Sequence, residues 1–166
     1  MLDGVFNHVG RDFPMFQTAL QEGPDSAAAQ WFRMTWPHSG DAEPEYDHFE
    51  GHRQLVTLNH ANEQVADFVV EVMCHWLERG ADAWRLDAAY AVPATFWSRV
   101  LPRVRERHPD AYFVGEVIHG DYVEYVAASG IDSVTQYELW KAIWSSLNDG
   151  NLFELDWTLT RHNELL

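Results

Sequence analysis

The stretch Ala-Trp-Arg-Leu-Asp-Ala (residues 83–88) is a short apolar run that ends on an acid, Asp87. Tyr-Phe-Val-Gly-Glu-Val (residues 112–117) repeats this pattern one unit later and ends on Glu116. Each run has the length and composition of a β-strand, with its acid at the carboxyl end. The parallel strands of an alternating βα chain bring their carboxyl ends to one rim, where barrels of this type carry their active sites. The sequence therefore predicts that the two acids lie together.

Helical patterns separate the predicted strands. The clearest runs from Asn62 to Arg79, where apolar residues recur at helical spacing, Asn62 can cap the start and Gly80 can end the helix. A second helix is predicted from about Pro93, and Pro102 should kink or shorten it. Further helices are predicted at 121–128, 137–148 and 156–166, and further strands at 1–6 and 131–135. This alternation predicts an α/β fold of parallel strands covered by helices, as part of a (β/α)8 TIM barrel. Residues 10–58 lack regular periodicity and are predicted to form an irregular insert after the first strand, within a single domain over residues 1–166.

Composition excludes several classes of function. The chain carries 26 acidic and 11 basic residues, a net charge of −15, which argues against a nucleic-acid partner because phosphate binding needs a basic surface. No apolar run is long enough to cross a membrane. The single Cys74 excludes an internal disulfide, and no secretory pattern opens the chain, so a cytoplasmic location is predicted.

The acids have neighbours that suit chemistry on a sugar. Arg85 and Asp87 are two residues apart and share a strand face, so Arg85 is expected to keep Asp87 ionised for attack on an anomeric carbon. Glu116, beside Asp87 and partly desolvated, is expected to have a raised pKa, which suits proton donation to a leaving oxygen. Asp3 shares the inward face of the first strand and is predicted to form an ion pair with Arg85.

Asn7 and His8 follow the first strand, where they could bind hydroxyl groups or a cation. Taken alone, each of these features has a structural alternative. Arg85 with Asp87 could be an ion pair that only stabilises the fold, and Glu116 could be a solvated loop residue. The clustering of all of them at one end of successive strands is what favours an enzyme.

Four segments resemble the α-amylase superfamily, glycoside hydrolase family 13. Residues 2–8 (Leu-Asp-Gly-Val-Phe-Asn-His) resemble its first segment, Asp-x-x-x-Asn-His. Residues 81–89 (Ala-Asp-Ala-Trp-Arg-Leu-Asp-Ala-Ala) are similar to its second, Gly-x-Arg-x-Asp, and residues 114–117 (Val-Gly-Glu-Val) to its third. Residues 55–59 (Leu-Val-Thr-Leu-Asn) are similar to the segment that closes the family's insert. The order and spacing match over nearly the whole chain, whose strands resemble the third to the sixth of the barrel.

The resemblance implies a retaining α-glucoside hydrolase that acts on starch-derived oligosaccharides or related α-glucans. It implies Asp87 as nucleophile and Glu116 as general acid and base, with Arg85 positioning Asp87. Substrate contacts are expected from His8, Arg85, Tyr90 and His119. No cofactor is required, although Asn7 matches a common calcium ligand of the family. Aromatic residues of the insert are candidates for sugar stacking, with core packing as the alternative: Trp31, Phe32, Trp36, Tyr46 and Phe49.

The sequence also departs from the family pattern. Tyr90-Ala91 stands where α-amylases often carry Lys-His, which argues against a typical endo-acting amylase and its usual calcium site. The last family segment, Asn-His-Asp, which carries a third carboxylate, is absent. We therefore expect an internal or truncated fragment of a longer hydrolase, poorly active on its own. The alternatives are a transglycosylase or isomerase of the same superfamily, and a non-catalytic carbohydrate-binding remnant.

Overall fold

A computed structural model describes residues 1–37 and 43–164, with side chains as far as Arg161. The strands are β1 (Leu2–Gly4), β2 (His8–Gly10), β3 (Met34–Thr35), β4 (Glu45–Tyr46), β5 (Leu55–Thr57), β6 (Ala83–Leu86), β7 (Tyr112–Gly115) and β8 (Ser133–Val134). The helices are α1 (Pro14–Glu22), α2 (Glu63–Leu77), α3 (Ala94–Arg107), α4 (Tyr122–Ser129), α5 (Tyr137–Asp149) and α6 (Phe153–Glu164). None of these helices is both long and apolar enough to cross a membrane.

Four of the strands form one parallel sheet in the order β1-β6-β7-β8. Asp3, Arg85 and Val114 are register partners across the first three strands. The hydrogen-bond ladder continues one residue beyond the strands: the Asp87 N–H donates to the carbonyl that ends β1 (3.0 Å), and the Glu116 N–H donates to the carbonyl that ends β6 (2.9 Å). This register places the two acids side by side at the carboxyl edge and confirms the predicted α/β sheet.

Helices α2 and α3 cover one face of this sheet. Trp84 and Phe113, which are register partners, are buried in the hydrophobic core together with the apolar residues of both helices. Burial of each such large side chain stabilises the fold by about 1.5–3 kcal/mol. Ion pairs on the surface also link the two helices, with every acid on α2 or its C-cap and every arginine on α3: Arg99–Glu63, Arg103–Glu63, Arg103–Asp67, Arg107–Glu71 and Arg107–Glu78.

The predicted helices are confirmed, with two corrections to their ends. Helix α2 begins after Asn62, whose Oδ1 accepts a hydrogen bond from the Gln64 N–H at 2.9 Å, as the capping argument predicts. Pro102 does not shorten α3, which continues to Arg107; the Pro102 ring is exposed, while Leu101 and Val104 are buried in the core. The last helix begins at Phe153, earlier than predicted, and residues 165–166 of that prediction lie outside the described residues.

The insert is more regular than its sequence suggested. It contains α1 and two short antiparallel pairs, β2 with β5 and β3 with β4. Helix α1 escaped prediction because it has only nine residues and buries only Phe16 and Ala19, too few for a clear periodicity. Trp31, Phe32 and Tyr46 are buried in the core, so core packing rather than sugar stacking explains these three aromatic residues. Trp36 is half-buried against the same core.

Candidate active site

One guanidinium group holds three carboxylates at the carboxyl edge of the sheet. Arg85 Nη1 lies 2.6 Å from Asp3 Oδ1 and 3.0 Å from Asp87 Oδ1, and Nη2 lies 2.9 Å from Glu116 Oε1. Burial lowers the pKa of Arg85, but the three acids outweigh it and raise that pKa above its ordinary value. The structure thus brings together Asp3, Arg85, Asp87 and Glu116, as the strand pattern predicted, and adds a direct contact between Arg85 and Glu116.

Glu116 is the most enclosed of the three acids. Its side chain is 14% exposed, against 26% for Asp87 and 58% for Asp3. Besides Arg85, the Tyr137 hydroxyl donates to Oε1 at 2.8 Å and the Ala88 N–H donates to Oε2 at 2.9 Å. Burial raises the pKa of Glu116, but these hydrogen bonds and the guanidinium outweigh it, so the pKa lies below its usual range. The prediction of a raised pKa is therefore wrong for the chain without substrate.

The amide that holds Glu116 depends on an unusual backbone conformation. Ala88 adopts φ 46° and ψ 36°, in the left-handed region that non-glycine residues rarely occupy. This conformation turns the chain sharply after Asp87 into a short 3₁₀ turn, Ala89–Ala91, and directs the Ala88 N–H to Glu116. Left-handed backbone costs about 1–2 kcal/mol for such a residue, so the surrounding contacts must hold it in place.

The insert reaches the site through a tight turn, Phe49–Gly51, in which Glu50 also has left-handed backbone (φ 49°, ψ 35°). The Phe49 ring stacks on His8, with centroids 4.7 Å apart and planes at 15°. The Tyr90 hydroxyl donates to Glu50 Oε1 at 2.7 Å, and burial together with this acid raises the pKa of Tyr90 to about 12. Burial lowers the pKa of His8, and nearby Asp87 only partly offsets that effect. Of the five insert aromatics, Phe49 thus stacks on a predicted site residue.

Asn7 and His119 differ from the other predicted site residues. Asn7 is 1% exposed, and its Oδ1 has no hydrogen-bond partner among the residues that the structure covers. Calcium takes six to eight oxygen ligands, and within residues 1–37 and 43–164 no group of three or more His, Cys, Asp or Glu residues is placed to hold a metal ion. Calcium binding at Asn7 therefore stays a prediction. His119 is exposed on the turn after β7 and lies outside the hydrogen-bonded cluster.

This geometry agrees with comparisons to known proteins. The family model described as the alpha amylase catalytic domain matches residues 1–163. The chain belongs to the alpha-amylase family. Among curated relatives, a cyclomaltodextrinase from Geobacillus thermopakistaniensis (strain MAS1) is 35% identical over 141 residues, which cover 84% of this chain and 24% of that protein. A maltogenic alpha-amylase from Bacillus acidopullulyticus is 34% identical over 155 residues, covering 92% of this chain and 25% of that protein.

Solved structures of this family share the fold. A cyclic α-maltosyl-(1→6)-maltose hydrolase from Arthrobacter globiformis superposes with a TM-score of 0.86 at 27% identity, covering 99% of this chain and 38% of that one. A debranching enzyme from Nostoc punctiforme gives a TM-score of 0.73 at 35% identity, covering 84% and 29%. The chain spans about a quarter of the length of the curated relatives that it matches.

Besides the contact between Arg85 and Glu116, three groups of this alpha-amylase family site were not predicted. They are the Ala88 amide, the Tyr137 hydroxyl and the Glu50 carboxylate. Ala88 gives no sequence signal, because alanine is not typical of left-handed backbone. Tyr137 was assigned only to the apolar pattern of a helix, and Glu50 only to an irregular segment. Tyr137 and Glu50 meet Glu116 and Tyr90 only through tertiary packing, so no local signal in the sequence marks them.

Proposed function

We propose that this chain forms the nucleophile and acid/base part of a retaining α-glucan hydrolase, with maltooligosaccharides or related α-glucans as substrates. The observation that carries the proposal is the unequal bonding of two acids on one guanidinium. Asp87 is bonded to Arg85 through Oδ1 only, and its Oδ2 has no protein hydrogen bond among the residues described. Glu116 is held through both oxygens. The names of the relatives, which include a cyclomaltodextrinase and a neopullulanase, support this substrate class.

The two acids then act in sequence. Asp87 Oδ2 attacks the anomeric carbon and forms a glycosyl ester, while the bond to the leaving glycosidic oxygen breaks and Glu116 gives that oxygen a proton. Glu116 next takes a proton from water, the water oxygen bonds to the anomeric carbon, and Asp87 leaves as a carboxylate. Two displacements restore the original anomeric configuration. Arg85 stabilises the ionised Asp87 that begins and ends the cycle.

The roles can be separated by azide rescue with α-maltosyl fluoride, whose fluoride leaves without a proton. Because the chain spans about a quarter of the length of its relatives, we suggest a chimaera in which it replaces the matching segment of the Geobacillus cyclomaltodextrinase. Asp87→Ala and Glu116→Ala should each lose most turnover of maltooligosaccharides. With azide, Glu116→Ala should yield α-maltosyl azide, since azide attacks the glycosyl ester, whereas Asp87→Ala should yield the β-anomer by direct displacement.

A matched control is Asp82→Ala, which removes an exposed acid just before β6, at the opposite end of the same strand. It should keep both turnover and product configuration. The same azide anomer from the Asp87 and Glu116 variants, or full turnover in either, would contradict the assigned roles. Adding an acceptor sugar to the active chimaera and measuring the longer products separates hydrolysis from glycosyl transfer, because both reactions share the glycosyl ester.

A cytoplasmic location is proposed with the same function. One relative, 35% identical over 121 residues that cover 72% of this chain and 20% of that protein, is described as an intracellular maltogenic amylase of Bacillus subtilis (strain 168). Fractionation of the native host with an antibody against the chain would test the location.

A further inference from the structure

Three hydrogen-bond donors surround the Glu116 carboxylate, and they differ in their chemistry. The Arg85 guanidinium, 2.9 Å from Oε1, and the Ala88 N–H, 2.9 Å from Oε2, can only donate. The Tyr137 hydroxyl, 2.8 Å from Oε1, can either donate or accept. Among the groups that the structure bonds to this carboxylate, Tyr137 is therefore the one that can accept a hydrogen bond from Glu116 once it carries a proton.

We propose that Tyr137 is a positioning residue that controls the proton on Glu116. When Glu116 is ionised, the Tyr137 hydroxyl donates to Oε1. When Glu116 is protonated on Oε1, the Tyr137 hydroxyl rotates, and its oxygen accepts a hydrogen bond from the protonated carboxyl group. The carboxyl group thus keeps its orientation in both states, and the hydroxyl determines how readily the proton is bound. The significance of that proton rests on the proposed function, in which Glu116 gives it to the leaving oxygen.

Tyr137 comes from a part of the fold that is separate from the other donors. It is the first residue of α5, whereas Arg85 and Ala88 belong to β6 and the turn that follows. Thr135, two residues before Tyr137, is tied to the end of β7: its N–H donates to the Gly115 carbonyl at 3.0 Å, and its Oγ1 accepts from the Val117 N–H at 3.0 Å, so the start of the helix is held independently of the hydroxyl. Loss of the hydroxyl should therefore remove one bond to Glu116 without displacing the helix.

Loss of the Tyr137 hydroxyl changes the formal charge of none of the other ionisable groups around Glu116. Arg85 and Asp87 face it from β6 and its carboxyl end, Asp3 reaches it through Arg85, and Tyr90 faces it from the 3₁₀ turn. Tyr137→Phe keeps the aromatic ring and alters no charge. Any change in the titration of Glu116 would therefore report the hydrogen bond and not a new electrostatic environment.

The experiment is an NMR pH titration of the 166-residue chain with isotope-labelled glutamate carboxyl groups. The Glu116 signal is identified as the one that is lost in Glu116→Gln. In Tyr137→Phe, the ionised carboxylate loses a donor, so Glu116 should titrate at higher pH, with an acid dissociation constant lowered roughly two- to tenfold. The control is Tyr112→Phe on β7, whose exposed hydroxyl makes no hydrogen bond to the described residues, and which should leave the titration unchanged.

An unchanged Glu116 titration in a folded Tyr137→Phe chain, judged by its amide spectrum, would overturn the proposal. So would an equal shift in Tyr112→Phe. If Tyr137→Phe does not fold, the same bond can be measured from its other side. The hydrogen bond to Glu116 raises the pKa of Tyr137 above its ordinary value of 10. Glu116→Gln should therefore lower the pKa of the Tyr137 phenol. An unchanged pKa of Tyr137 in this variant would also overturn the proposal. Neither titration needs turnover, so failure here is distinct from failure of the azide test.

Discussion

An alanine at Gly4 would place a methyl group where the end of β1 has no room. A Cβ built there would lie 2.4 Å from Phe6 Cε2 and 3.0 Å from Trp84 Cε3, well inside ordinary van der Waals contact. The Phe6 ring cannot swing away, because it is 6% exposed and packs against both Trp84 and Trp97, at centroid distances of 5.7 and 6.5 Å. Overpacking of this kind costs about 1–3 kcal/mol, so we expect Gly4→Ala to lower the free energy of unfolding by that amount.

The assay is urea unfolding followed by tryptophan fluorescence, with two other glycines as graded controls. At Gly115 the nearest atom to a new Cβ is Ile131 Cδ1 at 3.1 Å, and at Gly10 no atom lies within 4 Å. Gly115→Ala should be intermediate. Gly10→Ala should be neutral or should stabilise the chain by about 0.4–1 kcal/mol, because it restricts the unfolded state. Equal stability of the Gly4 and Gly10 variants, or a larger loss at Gly115 than at Gly4, would refute this steric reasoning.

Two further predictions concern pH. His60 is 4% exposed, and its Nε2 donates to the Phe6 carbonyl at 3.0 Å. Burial lowers the pKa of His60 below 6.5 in the folded chain. The unfolded chain therefore binds a proton at His60 at higher pH than the folded chain does, and the free energy of unfolding should fall as the pH drops through 6.5. His60→Asn should flatten this dependence in urea unfolding between about pH 7 and pH 5, and an equally steep fall in the variant would contradict the assignment. The lowered pKa of Glu116 stabilises the unsubstituted chain above pH 4.5, and this stabilisation is lost as the pH falls through the pKa of the folded chain. Arg85→Met should raise the pKa of Glu116 towards its ordinary value of 4.5 and should therefore remove part of this pH-dependent stabilisation. A difference in unfolding free energy between the two chains that stays constant across this range would count against the role of Arg85.

The parts of the site that lie on strands were predictable from the sequence. Asp3, Arg85 and Asp87 follow from the two-residue period of a strand, and the place of Glu116 follows from the meeting of parallel strand ends. The helices were predictable where several buried residues recur at helical spacing, as in α2. Short elements such as α1 were not predictable, because two buried residues are too few to reveal a helical periodicity.

The lowered pKa of Glu116 could not be predicted because two of its three causes lie outside the strand pattern. Burial alone would raise its pKa, which is what the sequence suggested. Besides Arg85, the donors that reverse the shift are a backbone amide set by a left-handed alanine and a hydroxyl from a helix 21 residues further along the chain. Contacts of this kind depend on tertiary packing and on a rare backbone conformation, neither of which has a local pattern in the sequence.

Under the proposed function, the charge of the three acids around Arg85 bears on which sugars can approach. Three carboxylates against one guanidinium leave a formal excess of two negative charges at the site, which are part of the chain's net charge of −15. A phosphorylated or uronic sugar would bring a like charge into this field, and like charges at close range disfavour binding by several kcal/mol. A neutral glucan meets no such repulsion, and the positive charge that develops on its anomeric carbon during bond cleavage is attracted. Under the proposed function, this arrangement of charge disfavours anionic polysaccharides relative to neutral glucans.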